Sequence, residues 1–311
     1  MNSQWKNYLQ VGLRVAIGLV FVVSAIFKLI SLDEFEIYIH SFGLFDFVLC
    51  TLLARLLIAF EFLLGVGLAA KLFYKKVWGL SMLTMLGFTL FLVYVAVFRS
   101  DDNCHCFGTI VEVKPTISII KNVVMILVLC CVKNQQDSKF RYRKIFIGSS
   151  IALSVIVPFV VFPMDVLYNK IVSPERDFNQ SAFEQLLQDS VMQPVAHVQE
   201  PQLFAFYISG CRYCRLSMKK LTSIVEQNHL DKNRIVVVII GLDKNIEEFK
   251  RDTGAEEYSF YGFHNEQVSN IMKITFGNFP TFALIEGKDV AKVMNYRGLE
   301  EYEIVKFLRD E

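Results

Sequence analysis

Long apolar runs dominate the first half of the chain, at about 9–30, 48–70, 77–98, 116–133 and 145–163. A helix needs about 17–25 apolar residues to cross the hydrocarbon core of a bilayer, so each run predicts a membrane span. Near residue 170 the pattern changes, and shorter apolar runs begin to alternate with charged stretches. The hydrophobic pattern therefore predicts a helical membrane part followed by a mixed α/β domain.

Within the second half, the apolar runs are too short to span a membrane, and several are rich in β-branched residues. The predicted elements, in chain order, are strand 202–208, helix 212–227, strand 234–240, a hairpin of 281–287 and 291–298, and helix 300–309. A buried strand that is followed by a helix and then by a second buried strand is typical of an α/β fold.

Composition agrees with a membrane protein. Of the 311 residues, 53% are hydrophobic, and the formal net charge of +1 offers no basic surface for nucleic acid. The first apolar run continues to Ile30 without a small-residue cleavage site, so it predicts a retained span rather than a signal peptide. The lipid bilayer is thus the first predicted partner.

Charge in the loops predicts the orientation of the spans, because Lys and Arg stay on the cytoplasmic side. The second and fourth runs are followed by basic residues: Lys71, Lys75, Lys76, Lys133, Lys139, Arg141, Arg143 and Lys144. The other two loops are acidic, with Asp33, Glu34, Glu36 and Asp46 in one and Asp101, Asp102 and Glu112 in the other. Five spans with the amino terminus in the cytoplasm would place the α/β domain outside, in the oxidising compartment.

The first cysteine pair of interest, Cys211 and Cys214, lies between the predicted strand 202–208 and the helix that follows it. Unpaired N–H groups and the helix dipole stabilise a thiolate at a helix amino terminus. We expect Cys211 to attack disulfides and Cys214 to resolve the mixed disulfide. A zinc site is the alternative, but it needs two more ligands that no second such cysteine set supplies, so no metal is predicted.

A second pair, Cys104 and Cys106, lies in the acidic loop after the third run, on the same predicted side. Cysteines separated by one residue close only a small, bent ring, and a strained disulfide is more easily reduced. The pair therefore predicts an electron acceptor for a neighbouring dithiol. His105 between them either carries a proton or is simply solvated, and three adjacent residues are poorly suited to wrap a metal ion.

Three ionisable residues lie well inside the predicted spans: Arg55, Glu61 and Lys121. Such residues are costly in a bilayer and are functional by default. They predict either a buried set of ion pairs that aligns the helices or a polar pocket that binds a quinone and moves protons. Lys28 lies near a span end, where we expect it to reach toward the interface.

The α/β domain resembles the thioredoxin-like fold over about residues 183–311. The resemblance rests on the strand–C-x-x-C–helix unit and on "GNFPTF", and it implies a cis proline at Pro280 that faces the cysteines and pairs with the substrate backbone. Gly210 replaces the tryptophan that often precedes the first cysteine. Ala205 replaces the buried acid of reducing thioredoxins, so the direction of electron flow stays open.

The membrane part, about residues 8–135, resembles the DoxX/MauE family. The resemblance is carried by "SAIFKLISLDEF", "AFEFLLGVGL", "CHCFG" and "IIKNVVMILVL", and C-x-C-F-G favours the MauE branch. That branch is associated with disulfide formation in a secreted enzyme subunit, which implies a bacterial cytoplasmic membrane with the carboxyl-terminal domain in the periplasm. The predicted domains are a four-span domain 1–135, a basic loop and fifth span 136–170, a linker 171–182 and a thioredoxin-like domain 183–311.

Together these features predict a membrane thiol–disulfide oxidoreductase. Electrons would pass between the C-x-x-C and C-x-C pairs, extracytoplasmic client thiols would be the partners, and a quinone is an expected carrier. Two alternatives stay open: a DoxX-like subunit of a quinone-linked sulfur-compound oxidoreductase, and a non-enzymatic membrane-anchored assembly factor.

Overall fold

The computed structural model describes residues 3–99, 103–104, 106–109, 113–133, 135–138, 141–196, 199–264, 267–287 and 289–309. His105, Lys139 and the acidic residues Asp101, Asp102 and Glu112 lie outside the described residues. The chain forms two compact units. The first comprises Met1–Ile39 and Leu49–Pro163, and the second comprises His40–Val48 and Met164–Glu311.

The first unit is built from long helices and one short strand. Its elements are α1 (Ser3–Ile30), α2 (Leu32–His40), α3 (Phe47–Ala70), α4 (Tyr74–Tyr94), β1 (Cys106–Thr109), α5 (Pro115–Cys131) and α6 (Arg143–Ile156), and a π-helical turn extends α4 over Val95–Arg99 and α6 over Val157–Val161. The last residue of α2 and the first two residues of α3 belong to the second unit.

Four of these helical stretches are long and apolar enough to cross a membrane: Asn7–Ile30, Phe47–Ala70, Tyr74–Arg99 and Arg143–Val161. They match four predicted spans and confirm a membrane protein. The remaining predicted span, α5, has 17 residues, or about 26 Å of helix at 1.5 Å per residue. It is therefore at the short limit for a span, and the count of five stays a prediction.

Helices α1 and α3 approach each other closely at two glycines. A Cβ on Gly18 would lie 2.7 Å from the Gly65 carbonyl oxygen, and a Cβ on Gly65 would lie 2.6 Å from that of Gly18. Two glycines that face each other let the helix backbones approach, as is common between membrane helices. Nearby, the buried Arg14 guanidinium donates to the carbonyl oxygens of Leu68 and Ala69 at the end of α3, at 2.5 Å each.

The second unit contains a five-stranded mixed sheet, formed by β2 (Pro201–Ile208), β3 (Ile235–Ile240), β4 (Ser259–Phe263), β5 (Thr281–Glu286) and β6 (Asp289–Met294). The order is β4-β3-β2-β5-β6, with β2, β3 and β4 parallel and with β5 antiparallel to both β2 and β6. This topology, with helices on both faces, is the predicted thioredoxin-like fold.

The helices of this unit are α7 (Asp165–Tyr168), α8 (Gln180–Leu187), α9 (Gln193–Ala196), α10 (Arg212–Gln227), α11 (Asp243–Thr253), α12 (Val268–Thr275) and α13 (Glu301–Leu308). Alternate residues of β2 enter two separate cores. Leu203, Ala205 and Tyr207 pack on the side of α10, whereas Phe204 and Phe206 pack on the side of α8 and α12. Because both faces are covered, β2 is apolar throughout most of its length.

Two details differ from the sequence expectation. The strand predicted over 291–298 ends at Met294, because the Asn295 side chain accepts from the N–H groups of Arg297 and Gly298 and starts a helical turn. The segment 171–182, predicted as a linker, is packed within the second unit. There the Arg176 N–H donates to Val293 O at 3.1 Å, and the Asn179 N–H donates to Ile274 O at 3.0 Å.

The segment His40–Val48 is a further part of the second unit. The buried His40 places Nδ1 2.7 Å from Ser223 Oγ on α10. The Phe47 N–H donates to Glu301 Oε2 on α13 at 2.6 Å, and Asn228 Nδ2 donates to the other carboxylate oxygen at 2.7 Å. Polar contacts therefore hold this segment against α10 and α13.

Candidate functional site

The C-x-x-C pair sits where the sequence predicts it, at the amino terminus of a helix. Cys211 caps α10, and its Sγ accepts from the Cys214 N–H at 3.3 Å. Cys214 is fully buried, whereas Cys211 is partly exposed. Burial, together with the hydrogen bond to Cys211, raises the pKa of the Cys214 thiol. Cys211 is therefore the sulfur that another molecule can reach, and Cys214 stands behind it as a protonated thiol.

Pro280 lies at the same end of the sheet as these cysteines. Thr281, the next residue, pairs with Phe206 near the end of β2, from which the chain continues to Cys211. The peptide bond Phe279–Pro280 is cis, as the resemblance implies.

The C-x-C pair forms a hydrogen-bonded group at the start of β1. Cys104 is buried, its N–H donates to Val113 O at 2.9 Å, and its Sγ lies 3.0 Å from Ser118 Oγ on α5. The Cys106 N–H points at the same sulfur, with 3.3 Å between the nitrogen and Sγ. Cys104 Sγ is thus surrounded by donors.

These donors divide the two thiols into different roles. The hydrogen bond from the Cys106 thiol, followed by those from Ser118 and the Cys106 N–H, lowers the pKa of Cys104 to about 6 despite its burial. The same bond to Cys104, together with burial, raises the pKa of Cys106. Since the thiolate is the attacking species in disulfide exchange, these shifts favour Cys104 as the attacking sulfur and Cys106 as its protonated partner.

Close packing of β1 on α1 positions the pair. Ser24 Oγ donates to the Cys106 carbonyl oxygen at 2.8 Å. Gly108 has a φ of +62°, and a Cβ there would lie 1.9 Å from Ser31 Oγ and 2.8 Å from Phe27 O. The glycine of C-x-C-F-G is therefore required both by its backbone conformation and by the closeness of α1.

A buried ion pair lies beside Cys106. Lys28 Nζ is 2.5 Å from Glu61 Oε1, and both side chains are almost fully buried. Lys28 therefore does not reach toward the interface as expected, because a carboxylate inside the bundle holds it. The two residues line a pocket of about 30 Å³ together with Cys106, Lys121 and Asn122.

Arg55 belongs to a different place. Its guanidinium pairs with the Glu36 carboxylate and donates to the Phe162 carbonyl oxygen at 2.9 Å. Arg55 and Glu61 are six residues apart on α3, which at 3.6 residues per turn points them to different sides. The structure thus brings Glu61 and Lys121 to one pocket and leaves Arg55 outside it.

This pocket does not fit a quinone. About 30 Å³ is room for one or two water molecules, and a substituted six-membered ring is several times larger. A larger pocket of about 200 Å³ lies between α1, α3 and α6, but its lining is apolar and includes none of Arg55, Glu61 and Lys121. Across the described residues, no group of three or more His, Cys, Asp or Glu side chains could hold a metal ion.

Sequence reasoning missed Glu36 and Ser118, and it misjudged Lys28. Glu36 lies in a segment expected to be a loop that faces outward, yet it is the partner of Arg55. The sequence does contain an indication of Ser118. It lies three and four residues before Lys121 and Asn122, and residues at this spacing lie on one helix face. Polar residues at this spacing in an apolar helix indicate a polar cavity.

A membrane helical unit and a thioredoxin-like unit, each with a pair of cysteines, define a membrane-associated redox protein. Comparison with known proteins agrees with this class. The family described as "Methylamine utilisation protein MauE" matches residues 6–132, which confirms the predicted resemblance of the amino-terminal region to that family.

Similarity to a curated protein extends over both units. The chain is 25% identical to "Protein TlpB" of Flavobacterium psychrophilum. The match covers 82% of this chain and 83% of that protein. No solved structure matches the chain significantly.

Proposed function

We propose that this protein is a membrane thiol–disulfide oxidoreductase that passes electrons between Cys211–Cys214 and Cys104–Cys106 and exchanges them with extracytoplasmic client thiols. The observation that carries the proposal is the shared asymmetry of the two pairs. In each, the sulfur of the first cysteine accepts from the N–H of the second at 3.3 Å, and the second cysteine is held as a protonated thiol beside it. Thiol–disulfide exchange needs this division, because one sulfur attacks and the other resolves.

The surface next to Cys211 supports exchange with a protein client. Tyr213, two residues after it in sequence, is 59% exposed, and its ring centroid lies 6.4 Å from that of Tyr296. Exposed aromatic side chains beside a reactive sulfur suit contact with an extended polypeptide, since they offer a large apolar area together with a polar hydroxyl.

The location belongs to the same proposal. Five spans with the amino terminus in the cytoplasm would place both cysteine pairs in the periplasm of a bacterial cell, where disulfides persist. The apolar pocket of about 200 Å³ between α1, α3 and α6 is the candidate place for a quinone, since the pocket beside Glu61 is too small. A quinone-linked version therefore predicts that substitutions at Ala59 in that lining change quinone reduction.

Trapping with Cys214→Ala in intact membranes tests the exchange. Without the resolving thiol, a mixed disulfide formed by Cys211 should persist. It is identified by mass spectrometry of peptides digested without reductant. We expect Cys211 to be joined to Cys104 or Cys106, and also to client proteins. A double variant, Cys211→Ser with Cys214→Ala, controls for chance oxidation, and Cys131→Ala, which changes an exposed cysteine outside both pairs, should leave the pattern unchanged.

The mixed disulfides found at Cys211 distinguish transfer between the two pairs from exchange with client proteins. Cross-links to client proteins alone would support client exchange and overturn the transfer between the two pairs. Absence of any mixed disulfide at Cys211 in a folded variant would overturn the oxidoreductase proposal. Full biological function after all four paired cysteines are replaced would instead favour an assembly factor.

A further inference from the structure

The pocket beside Cys106 has features that the proposed exchange does not by itself explain. Glu61 and Lys28 form a buried ion pair in it, at 2.5 Å. Ser24 Oγ, which donates to the Cys106 carbonyl oxygen at 2.8 Å, lies only 3.2 Å from Glu61 Oε2. One hydroxyl therefore connects the backbone of Cys106 to the carboxylate. Buried charges in a membrane helix bundle are costly, which favours a functional role.

The pocket is also suited to hold water. Its volume of about 30 Å³ exceeds the roughly 10–15 Å³ that one water molecule needs. Asn122 is 2% exposed, lines the pocket, and has an Oδ1 without a hydrogen-bond partner among the described residues. A buried amide oxygen normally has a partner, so this atom points to water between Asn122 and the charged side chains.

We propose that Glu61 is the proton acceptor and donor for the Cys106 thiol, acting through water in the pocket that Lys28 and Asn122 also line. This inference rests on the proposed thiol–disulfide exchange and assigns the proton that the exchange must move. Glu61 acts here as a relay residue, since it reaches the sulfur through water. Lys28 holds the carboxylate in place, and its ammonium also lies 5.3 Å from the centre of the Phe88 ring.

In the oxidising direction, the Cys104–Cys106 pair itself becomes a disulfide. The Cys104 thiolate attacks an external disulfide, RS–SR, so that a Cys104–SR bond forms and one RS⁻ leaves. Cys106 then loses its proton to Glu61, and its sulfur attacks Cys104 Sγ, which closes the Cys104–Cys106 disulfide and releases the second RS⁻. Two electrons pass from the two cysteine sulfurs to the external disulfide. In the reverse direction Glu61 returns the proton to Cys106 as its bond breaks.

The charges that face Glu61 make this transfer reasonable. From α1 the pocket receives the Lys28 ammonium and the Ser24 hydroxyl, and from α5 it receives the Lys121 ammonium. The side of α4 supplies only Met85 and Phe88, which are apolar. Two ammonium groups stabilise a thiolate that forms transiently on Cys106, and Glu61 is the carboxylate that lines the pocket beside it.

A two-phase reaction with an aromatic disulfide that releases a coloured thiolate tests the proposal. The full chain is used in detergent, with the five cysteines outside this pair replaced by Ser or Ala. The first equivalent of colour reports attack by Cys104, and the second reports closure by Cys106. Cys106→Ser identifies the phases, because it should release one equivalent only. We expect Glu61→Gln to leave the first phase within about twofold and to slow the second by roughly a hundredfold, the usual scale of general acid–base catalysis.

Dependence on pH separates a proton relay from a packing defect. In Glu61→Gln the second phase should rise with pH through the neutral range, because solvent hydroxide must then take the proton from Cys106. Glu61→Asp should restore part of the rate. Glu36→Gln is the matched control: it also removes the carboxylate of a buried ion pair in the first unit, that with Arg55, and should leave both phases unchanged.

Glu61→Gln leaves Lys28 buried without its carboxylate, so this variant can fail to fold. In that case the double variant Lys28→Met with Glu61→Gln is used, because it removes both charges. It should show the same slow second phase. A second phase at the wild-type rate in either folded variant, or equal slowing in Glu36→Gln, would overturn the relay while leaving the exchange intact. A wild-type pair that releases no colour at all would instead overturn the proposed exchange at Cys104.

Discussion

Replacing Gly108 with alanine should weaken the packing of the C-x-C segment on α1. The residue has a φ of +62°, and the added Cβ would lie 1.9 Å from Ser31 Oγ and 2.8 Å from Phe27 O. Real Cβ atoms do not approach other heavy atoms so closely, so either β1 or α1 must move. The Phe27 contact is to backbone, which cannot rotate away as a side chain can.

The cost has two parts. A left-handed conformation costs a residue with a Cβ about 1–2 kcal/mol, and forcing a methyl group into a closely packed site costs about 1–3 kcal/mol. Together they weaken the packing of β1 on α1 by about 2–5 kcal/mol. Since about 1.4 kcal/mol changes an equilibrium constant tenfold, the open form of the segment should become about 30-fold more populated or more.

Hydrogen exchange of the amides in 104–109, followed by mass spectrometry on the full chain in detergent, measures this opening. Exchange should accelerate about 30-fold or more in Gly108→Ala, and Ser31→Ala in the same chain should recover part of the loss. Gly254→Ala is the control. Gly254 has a φ of +64°, but nothing lies within 4 Å of the position of an added Cβ, so this substitution has only the cost of the left-handed conformation. Exchange in Gly108→Ala within about threefold of the wild type would refute the assigned packing of β1.

Two further predictions concern pKa shifts. The rate at which iodoacetamide alkylates Cys104 should be half-maximal near pH 6. Cys106→Ala should move that midpoint to higher pH, because the largest hydrogen bond to the thiolate is lost. An unchanged midpoint would contradict the assigned roles. For Glu301, burial opposes ionisation, but hydrogen bonds from His40, Asn228 and the Phe47 N–H lower its pKa from 4.5 to about 2. Its stabilising contribution should therefore be complete above about pH 4.5 and be lost as pH falls toward 2. At neutral pH, Glu301→Gln should lower the free energy of unfolding of the full chain by about 1–3 kcal/mol, measured as a lower thermal midpoint. The difference from the wild type should shrink below pH 4.5. Glu256→Gln, which changes an exposed residue, should show no such change.

The order and type of most elements follow from the sequence. The predicted helix 212–227 has the same bounds as α10, and the apolar runs match the long helices to within a few residues at most ends. Hydrophobic period and run length carry this information locally, since a helix or strand must cover its apolar residues wherever it lies. The predicted end of β6 is wrong because the Asn295 cap is a contact of a single side chain.

Residue chemistry and local position likewise indicate the two cysteine pairs from the sequence alone. A cysteine between a strand and a helix predicts a capped, accessible sulfur, and Cys211 is found in that position. Sequence alone does not decide which thiol of the C-x-C pair is the nucleophile. That depends in part on Ser118, which is 14 residues away and reaches Cys104 only because α5 packs beside this segment.

Ion pairing in the membrane unit is decided by tertiary structure. Arg55, Glu61 and Lys121 look like one set in the sequence, since each is an ionisable residue in an apolar run. Only the packing of the helices shows that Arg55 pairs with Glu36 and that Glu61 pairs with Lys28 beside Cys106. Sequence indicates that Arg55 and Glu61 are buried, because both lie within a long apolar run. It does not indicate the burial of Lys28 and Glu36, which depends on how the helices pack. Which opposite charge lies within reach is set by the way helices rotate and cross, and that follows from contacts such as Gly18 with Gly65 that are far apart along the chain.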